Sequence, residues 1–254
     1  MEKLPLTIVI PTRNEENRLP VLLETLKKQT AQAAEIIVSD AQSTDNTRAI
    51  AEQYGVRIVE GGKLSYGRNQ GAKAATQPVI LFFDADCELE DPTHIEKIYN
   101  EFSSKNVDFG ISLLKVSRLD LPQSLLGKLT PRVIFRIWNN GLKFGHLTGI
   151  RFIGNASGLI VKKETYNATK GFIETDSMLS EDLEFILQLT NLKKKGMLLP
   201  MKVTASGRRY FSARKSALAL VGISLAGLIV LFGMHRSQRL IKISKRLYGE
   251  MGGK

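Results

Sequence analysis

Val79-Ile80-Leu81-Phe82-Phe83 is an unbroken apolar run, entered from Pro78 and ended by Asp84-Ala85-Asp86. A short β-branched and aromatic segment with no polar face reads as a strand buried on both sides of a sheet. Such a strand needs helices above and below it. The first hundred residues supply them. Leu6 to Ile10, Ile36 to Ser39 and Val56 to Val59 read as further strands, each followed by a helical segment. A helix near Asn17 to Gln29 carries Leu19, Leu22, Leu23 and Leu26 on one face, with Asn17 as its cap. Others run from Thr47 to Tyr54, stopped by Gly55, and from Tyr66 to Ala75, and a fourth opens at Asp91-Pro92 with Asp91 as N-cap. This alternation predicts an α/β fold with a mostly parallel sheet and right-handed crossovers.

In open α/β sheets, ligands bind at the carboxyl ends of the strands. Asp84 and Asp86 stand there two residues apart, so both carboxylates project to one side while Ala85 turns away. Their hard oxygens suit Mg²⁺ or Mn²⁺, which would in turn hold a diphosphate. By composition alone, two Asp bracketing one residue should occur about once in a chain of this length. Placement at the end of a core strand is what distinguishes this pair from an ordinary turn.

Beyond about Asn106 the alternation fades. Residues 115 to 150, which hold the chain's only Trp, Trp138, mix basic and apolar residues without a clean period and predict an irregular, partly helical connection on the acceptor side. Gly158 to Val161 resumes as a strand, and Ser180-Glu181-Asp182 opens a helix to about Lys195. On spacing alone, those two acids read equally well as first-turn helix charge or as chemistry. The expected division is a domain over residues 1–212, in two halves (1–105 and 106–212), followed by an appendage over 213–254.

Asp40, the Asp84/Asp86 pair and Glu181-Asp182 thus fall in order at loops where chemistry sits. Together with Ile10-Pro11-Thr12-Arg13-Asn14-Glu15-Glu16 they closely resemble the family 2 glycosyltransferases of the GT-A fold, over roughly residues 4 to 212. The resemblance implies a Rossmann-like, mostly parallel sheet and an inverting transfer from a nucleotide-sugar donor. It also implies roles: Pro11, Thr12 and Glu15 shape the nucleotide pocket, Asp40 contacts base or ribose, and Asp84 lies near the ribose. Asp86 would ligate Mg²⁺ or Mn²⁺, Asp182 would be the catalytic base, and Glu181 would orient the acceptor. Arg68, in Gly67-Arg68-Asn69-Gln70-Gly71, would reach a phosphate. Arg208 and Arg209 resemble an arginine pair of some relatives that meets a diphosphate or a phosphorylated acceptor, and read equally well as a basic patch beside a membrane. Asn155-Ala156-Ser157-Gly158 lies where relatives face the sugar, although small polar residues before a strand also form plain turns. The Gln-x-x-Arg-Trp motif of processive relatives is absent, which favours transfer of one sugar.

The net charge is +11, and its location matters. From Ala205 onward there are ten Lys or Arg against one Glu, leaving the first 204 residues nearly balanced. The basic residues flank Ser216 to Met234, nineteen residues without a charge, about 28 Å of helix if helical and just long enough to span a bilayer core. Membrane association through residues 216–234, with anionic lipid and not nucleic acid as the partner, is therefore expected. Lone Cys87 permits no intrachain disulfide, and the start Met1-Glu2-Lys3 leads without a signal-like apolar segment into the first strand. The expected location is the cytoplasmic face of the cell membrane, with a lipid-linked acceptor; the oligomeric state is not legible. The competing readings are a nucleotidyltransferase, which would show a Gly-rich basic first loop, and an inactive membrane-bound adaptor, which Asp86 and Asp182 argue against.

Overall fold

A computed structural model of the chain describes residues 3–117, 125–148, 155–174 and 181–206, the second stretch with side chains from 131 to 147. The predicted alternation is present in order: β1 (Lys3–Thr12), α1 (Leu19–Lys27), β2 (Gln32–Asp40), α2 (Thr47–Gln53), β3 (Arg57–Glu60), α3 (Leu64–Ala74), β4 (Val79–Phe82) and α4 (His94–Ser104). There follow β5 (Phe109–Val116), α5 (Leu125–Thr148), β6 (Leu159–Lys162), α6 (Lys163–Asn167), α7 (Glu181–Asn191) and β7 (Gly196–Ala205). The strands form one sheet in the order β3-β2-β1-β4-β6-β5-β7. β1 runs parallel to β2 and β4, β2 to β3, and β5 to β7, while β6 lies antiparallel to β4 and β5. The sheet is therefore mostly parallel. The strand order reverses between β1 and β4, which opens a crevice at their carboxyl ends.

β4 is buried on both faces, as its composition requires. Val79, Leu81 and Phe83 enter one core with Leu6, Ile8 and Ile10 of β1 and the leucines of α1. Ile80 and Phe82 enter the other, with Ala72 of α3 and Phe185, Ile186 and Leu189 of α7. The alternation outlasts the strand, because Ala85, Cys87 and Leu89 also join the first core. Asp84 and Asp86 are left half-buried between them.

Three local expectations need correction. α1 starts at Leu19, not Asn17, because Arg18 and Leu19 N–H groups turn back onto the Glu15 carbonyl and Pro20 sits in the first helical turn. Asp91 does not cap α4 directly; its carboxylate takes the Thr93 N–H and hydroxyl in a turn that precedes the helix at His94. The stretch expected to be irregular and only partly helical contains the end of β5 and then a 24-residue helix, α5, which carries Pro131 inside it. Among the described residues, no helix is long and apolar enough to cross a membrane. Residues 216–234 and the basic tail lie outside them.

α3 packs closely on β1, and Gly71 is the reason it can. A Cβ there would come within 2.3 Å of Val9 Cγ1, a fully buried atom group of β1. Gly71→Ala is expected to lose about 1–3 kcal/mol through overpacking, in spite of alanine's better helix propensity. Urea denaturation reads this directly, and a stabilised variant would show that α3 is free to lift off the sheet.

Candidate active site

One buried guanidinium organises the carboxyl end of β4. Arg68 projects from α3, three residues before Gly71, and is 1% exposed. Its Nη2 donates to Asp84 Oδ1 at 2.8 Å, and its Nη1 donates to Glu181 Oε1 at 2.9 Å and Asp182 Oδ1 at 2.8 Å. Below it the Phe172 ring lies 5.3 Å away, itself stacked on Phe185 at 4.4 Å. Burial alone would lower the Arg68 pKa, but Asp182, Asp84 and Glu181 together raise it above its usual value. The cation is therefore permanent. Three carboxylates from two distant parts of the chain share it.

Each partner has a local reason to be there. Asp84 shares parity with Ile80 and Phe82, so it emerges on the face that α3 and α7 cover. A turn closes after it, with the Cys87 N–H bonded to the Asp84 carbonyl, and the Ser157 hydroxyl donates to its other carboxylate oxygen. Glu181 and Asp182 occupy the first turn of α7, where the helix dipole favours negative charge. Ser180 lies outside the described residues. Burial nevertheless raises Asp182 to about 6; Arg68 opposes this, Glu181 and Asp84 add to it, and the Ala156 N–H lowers it. A carboxylate titrating there is ionised at neutral pH and still basic enough to accept a hydroxyl proton.

Asn69, beside Arg68, pins the loop that carries Phe172. It donates to the Phe172 carbonyl at 2.7 Å and accepts from the Phe172 N–H and the Tyr166 hydroxyl. Gly171, at φ +70°, leaves the room this requires, since a Cβ there would meet Asn69 Oδ1 at 2.6 Å.

The remaining sequence-predicted residues line the neighbouring end of the crevice. Pro11 and Thr12 are buried at the end of β1, and half-buried Glu15 follows, its N–H bonded to the Thr47 hydroxyl. Asp40, at the end of β2, is 1% exposed and accepts from the Thr12 hydroxyl and from both the hydroxyl and the N–H of Ser43. In this ligand-free chain it holds the first two loops together. Arg68 was expected beside a phosphate; the structure buries it among carboxylates, and its Nε is the guanidinium nitrogen without a hydrogen-bond partner. Arg208 and Arg209 lie outside the described residues.

Phe172 is the residue of this site that the sequence did not single out, whereas Ser157 belongs to the Asn155–Gly158 segment that the resemblance sets facing the sugar. Asn155 is a further point of interest: it is 8% exposed, and neither its side-chain oxygen nor its nitrogen finds a partner. Buried amide atoms left unmatched beside a crevice are free to meet a ligand. Cys87, by contrast, is inert. Burial and the nearby Asp84 and Asp86 push its thiol well above the usual value.

A divalent cation fits the chemistry of this end of β4. Asp86 offers hard oxygens at a partly open position, while Asp84 is held by Arg68 and Ser157 and no three His, Cys, Asp or Glu side chains among the described residues form a complete cage. Such a cation would therefore be held by Asp86 together with oxygens from outside the protein.

Comparison with known proteins follows the same lines. The sequence pattern of Glycosyl transferase family 2 matches residues 7–151. The 4,4′-diaponeurosporenoate glycosyltransferase of Staphylococcus haemolyticus is 34% identical over 108 residues, 39% of this chain and 28% of that protein. Its counterpart in Staphylococcus aureus strain MRSA252 is 35% identical over 106 residues, 38% of this chain and again 28% of the relative. The match thus spans under a third of the curated relatives' length. Among solved structures, glucosyl-3-phosphoglycerate synthase of Mycobacterium tuberculosis, with Mn²⁺ and uridine-diphosphate-glucose, superposes with a TM-score of 0.59 at 14% identity, covering 90% of this chain and 79% of that one. Staphylococcus aureus TarS 1-349 gives 0.55 at 18% identity, covering 99% and 70%. These likenesses are ones of fold, of the GT-A type. With a family match over more than half of its residues, and its acidic cluster at the carboxyl end of the sheet, the chain belongs to glycosyl transferase family 2.

Proposed function

We propose that this chain is an inverting glycosyltransferase that moves one sugar from a nucleotide-diphosphate sugar to a hydroxyl or phosphate of a lipid-borne acceptor. The observation that carries the reading is the Arg68-centred cluster of Asp84, Glu181 and Asp182 at the crevice of a family 2 fold. Asp182 is the proton acceptor: its carboxyl, raised to about 6 by burial, is ionised at pH 7 and partly open to the crevice. Glu181, beside it on Arg68, helps orient the acceptor. Pro11, Thr12 and Glu15 border the space for the nucleotide, with Asp40 bracing that loop and Asp84 on the ribose side. Asp86 would hold Mg²⁺ or Mn²⁺. A divalent cation, when bound, screens the diphosphate from the acidic crevice and stabilises charge on the leaving group.

Direct displacement at the anomeric carbon asks little else of the protein: one base, one face for the acceptor and one for the leaving diphosphate. Arg68 keeps the base at a fixed position and prevents three carboxylates from repelling one another apart. The solved structure of the mycobacterial synthase in complex with Mn²⁺ and uridine-diphosphate-glucose supports the use of a divalent cation with the donor. The lipid-borne acceptor rests on the uncharged segment 216–234 and the basic residues around it, which would hold the chain at the cytoplasmic face of a membrane.

The test is a screen of nucleotide-diphosphate sugars by thermal shift and donor hydrolysis, with and without Mn²⁺. A donor that both stabilises the protein and is hydrolysed with Mn²⁺ supports the reading; no response to any donor defeats it. In Asp86→Ala the EDTA-sensitive part of donor binding is expected to disappear, because the neighbouring acids are already engaged, Asp84 by Arg68 and Ser157 and Glu88 by the Ser117 hydroxyl. Unchanged affinity with and without EDTA would remove Asp86 from the metal site.

A further inference from the structure

α5 offers a surface that the donor and base chemistry leave unused. Among the described residues, seven large apolar side chains are exposed, and four of them, Val133, Ile137, Phe144 and Leu147, belong to this helix. At 100° per residue these four fall within one narrow stripe, about 21 Å long, interrupted by exposed Asn140. Arg132, Arg136 and Lys143, all exposed, form a second stripe immediately beside it. The opposite face, with Ile134, Phe135 and Leu142, is buried against the domain. Asn139 fixes the helix in place by pairing with both the N–H and the carbonyl of Leu114 on β5, at 2.9 and 2.7 Å.

The basic stripe does not face open water alone. It forms one wall of a groove of about 620 Å³ whose other wall, the ends of β5 and β7, adds Lys115 and Lys202. Five cations thus line one groove. Among the described residues, the acids at this end of β5 and β7 are Glu90, which bridges Lys115 at 2.6 Å, and half-buried Glu88, which accepts from the Ser117 hydroxyl. Because β5 runs parallel to β4 through the antiparallel β6 between them, the groove, lined by Leu113 to Val116 at the carboxyl end of β5, lies at the same end of the sheet as Asp84.

We propose that the outer face of α5 is a membrane-docking surface: its apolar stripe enters an anionic leaflet while Arg132, Arg136 and Lys143 meet the headgroups. The pairing of stripes decides the partner. A soluble acidic protein would satisfy the cations and leave Val133, Ile137, Phe144 and Leu147 against water; an uncharged apolar partner would satisfy the reverse. An anionic lipid interface satisfies both at once, since the apolar stripe sinks below the plane in which the cations sit. This docking is independent of the segment 216–234 and of what the acceptor is. It also turns the carboxyl end of the sheet toward the bilayer.

A local probe tests it in the full-length chain. Ile137→Cys, labelled with an environment-sensitive fluorophore, keeps Cys87 out of the reaction because that thiol is buried. In buffer the probe should report water. On vesicles of phosphatidylcholine with phosphatidylglycerol, which contain no glycosyl acceptor, its emission should shift to the blue and be quenched by nitroxide-labelled acyl chains; phosphatidylcholine alone should give a much weaker response. Adding Arg132→Glu, Arg136→Glu and Lys143→Glu should raise the lipid concentration for half-maximal shift by about tenfold or more, with unchanged circular dichroism and Mn²⁺-dependent donor binding. A probe already apolar in buffer would mean that another part of the chain, or a second copy, covers α5. A probe that stays polar on vesicles to which the chain is bound, or is indifferent to charge reversal, also overturns the proposal. Failure of the acceptor reading would leave this result untouched, because no acceptor is present.

Discussion

Asp182→Asn is expected to bind donor as well as the wild type does, and to turn over on the order of 10²-fold or more slowly, because only proton acceptance in the transition state is lost. The substitution keeps size and one hydrogen-bonding oxygen for Arg68, so the cluster should stay assembled. The pH profile supplies the second readout. Asp182 works in its ionised form and titrates at about 6, so wild-type turnover should climb as pH rises through about 6 and level off above it. That limb belongs to the coupled carboxylates as a set, and it should vanish in the Asn variant. Near-normal turnover, or an unchanged limb, would return Glu181 and Asp182 to the role of helix first-turn charge.

The other large effect is expected at Arg68. Arg68→Met removes the one cation shared by Asp84, Glu181 and Asp182 and leaves three carboxylates facing one another. Breaking a buried ion set by deleting one side costs roughly 3–5 kcal/mol, and the partly exposed carboxylates place this case near the lower end. The loss should depend on pH. Without Arg68 the Asp182 carboxyl titrates higher than in the wild type, so the penalty is full only above that raised value; as pH falls through it, protonation of Asp182 relieves the repulsion and the gap to wild type narrows. Arg68 also lowers the Asp182 pKa, so any residual activity of the variant should have its limb at higher pH. Arg68→Lys should rescue only part of the loss, since one ammonium cannot match the fork that reaches Asp84 on one nitrogen and α7 on the other. Urea denaturation at several pH values measures this. A pH-independent loss would mean that Arg68 acts through packing on Phe172 alone. In a double variant with Asp182→Asn the losses should sum to less than their separate values, as expected for residues in one network.

Much of the molecule was readable along the chain because its elements are local. The β4 run, the leucines of α1 and the Gly55 stop specify strands and helices within windows of about ten residues, and strict alternation admits few sheet topologies. The acids were readable for the same reason: each follows a strand or opens a helix, the positions where α/β folds collect chemistry. Caps read less well. Asn17 and Asp91 have the right side chains, but the Glu15 carbonyl and the Thr93 turn take over their places.

By itself, the order of residues determined that this chain folds as alternating strands and helices, buries β4 on both faces and ends that strand in acid. What only the tertiary structure decided is what Arg68 does and what α5 offers. On α3, Arg68 reads as a surface or phosphate-reaching cation, because nothing within reach along the chain pairs with it. Folding brings it to Glu181 and Asp182, more than a hundred residues away, on a helix that Gly71 lets pack closely onto β1. Likewise the mixed basic and apolar residues of α5 show no clean period until the sheet takes one face of the helix. What remains outside is then sorted into two stripes. Both outcomes depend on pairings between distant segments, whose geometry no local window contains.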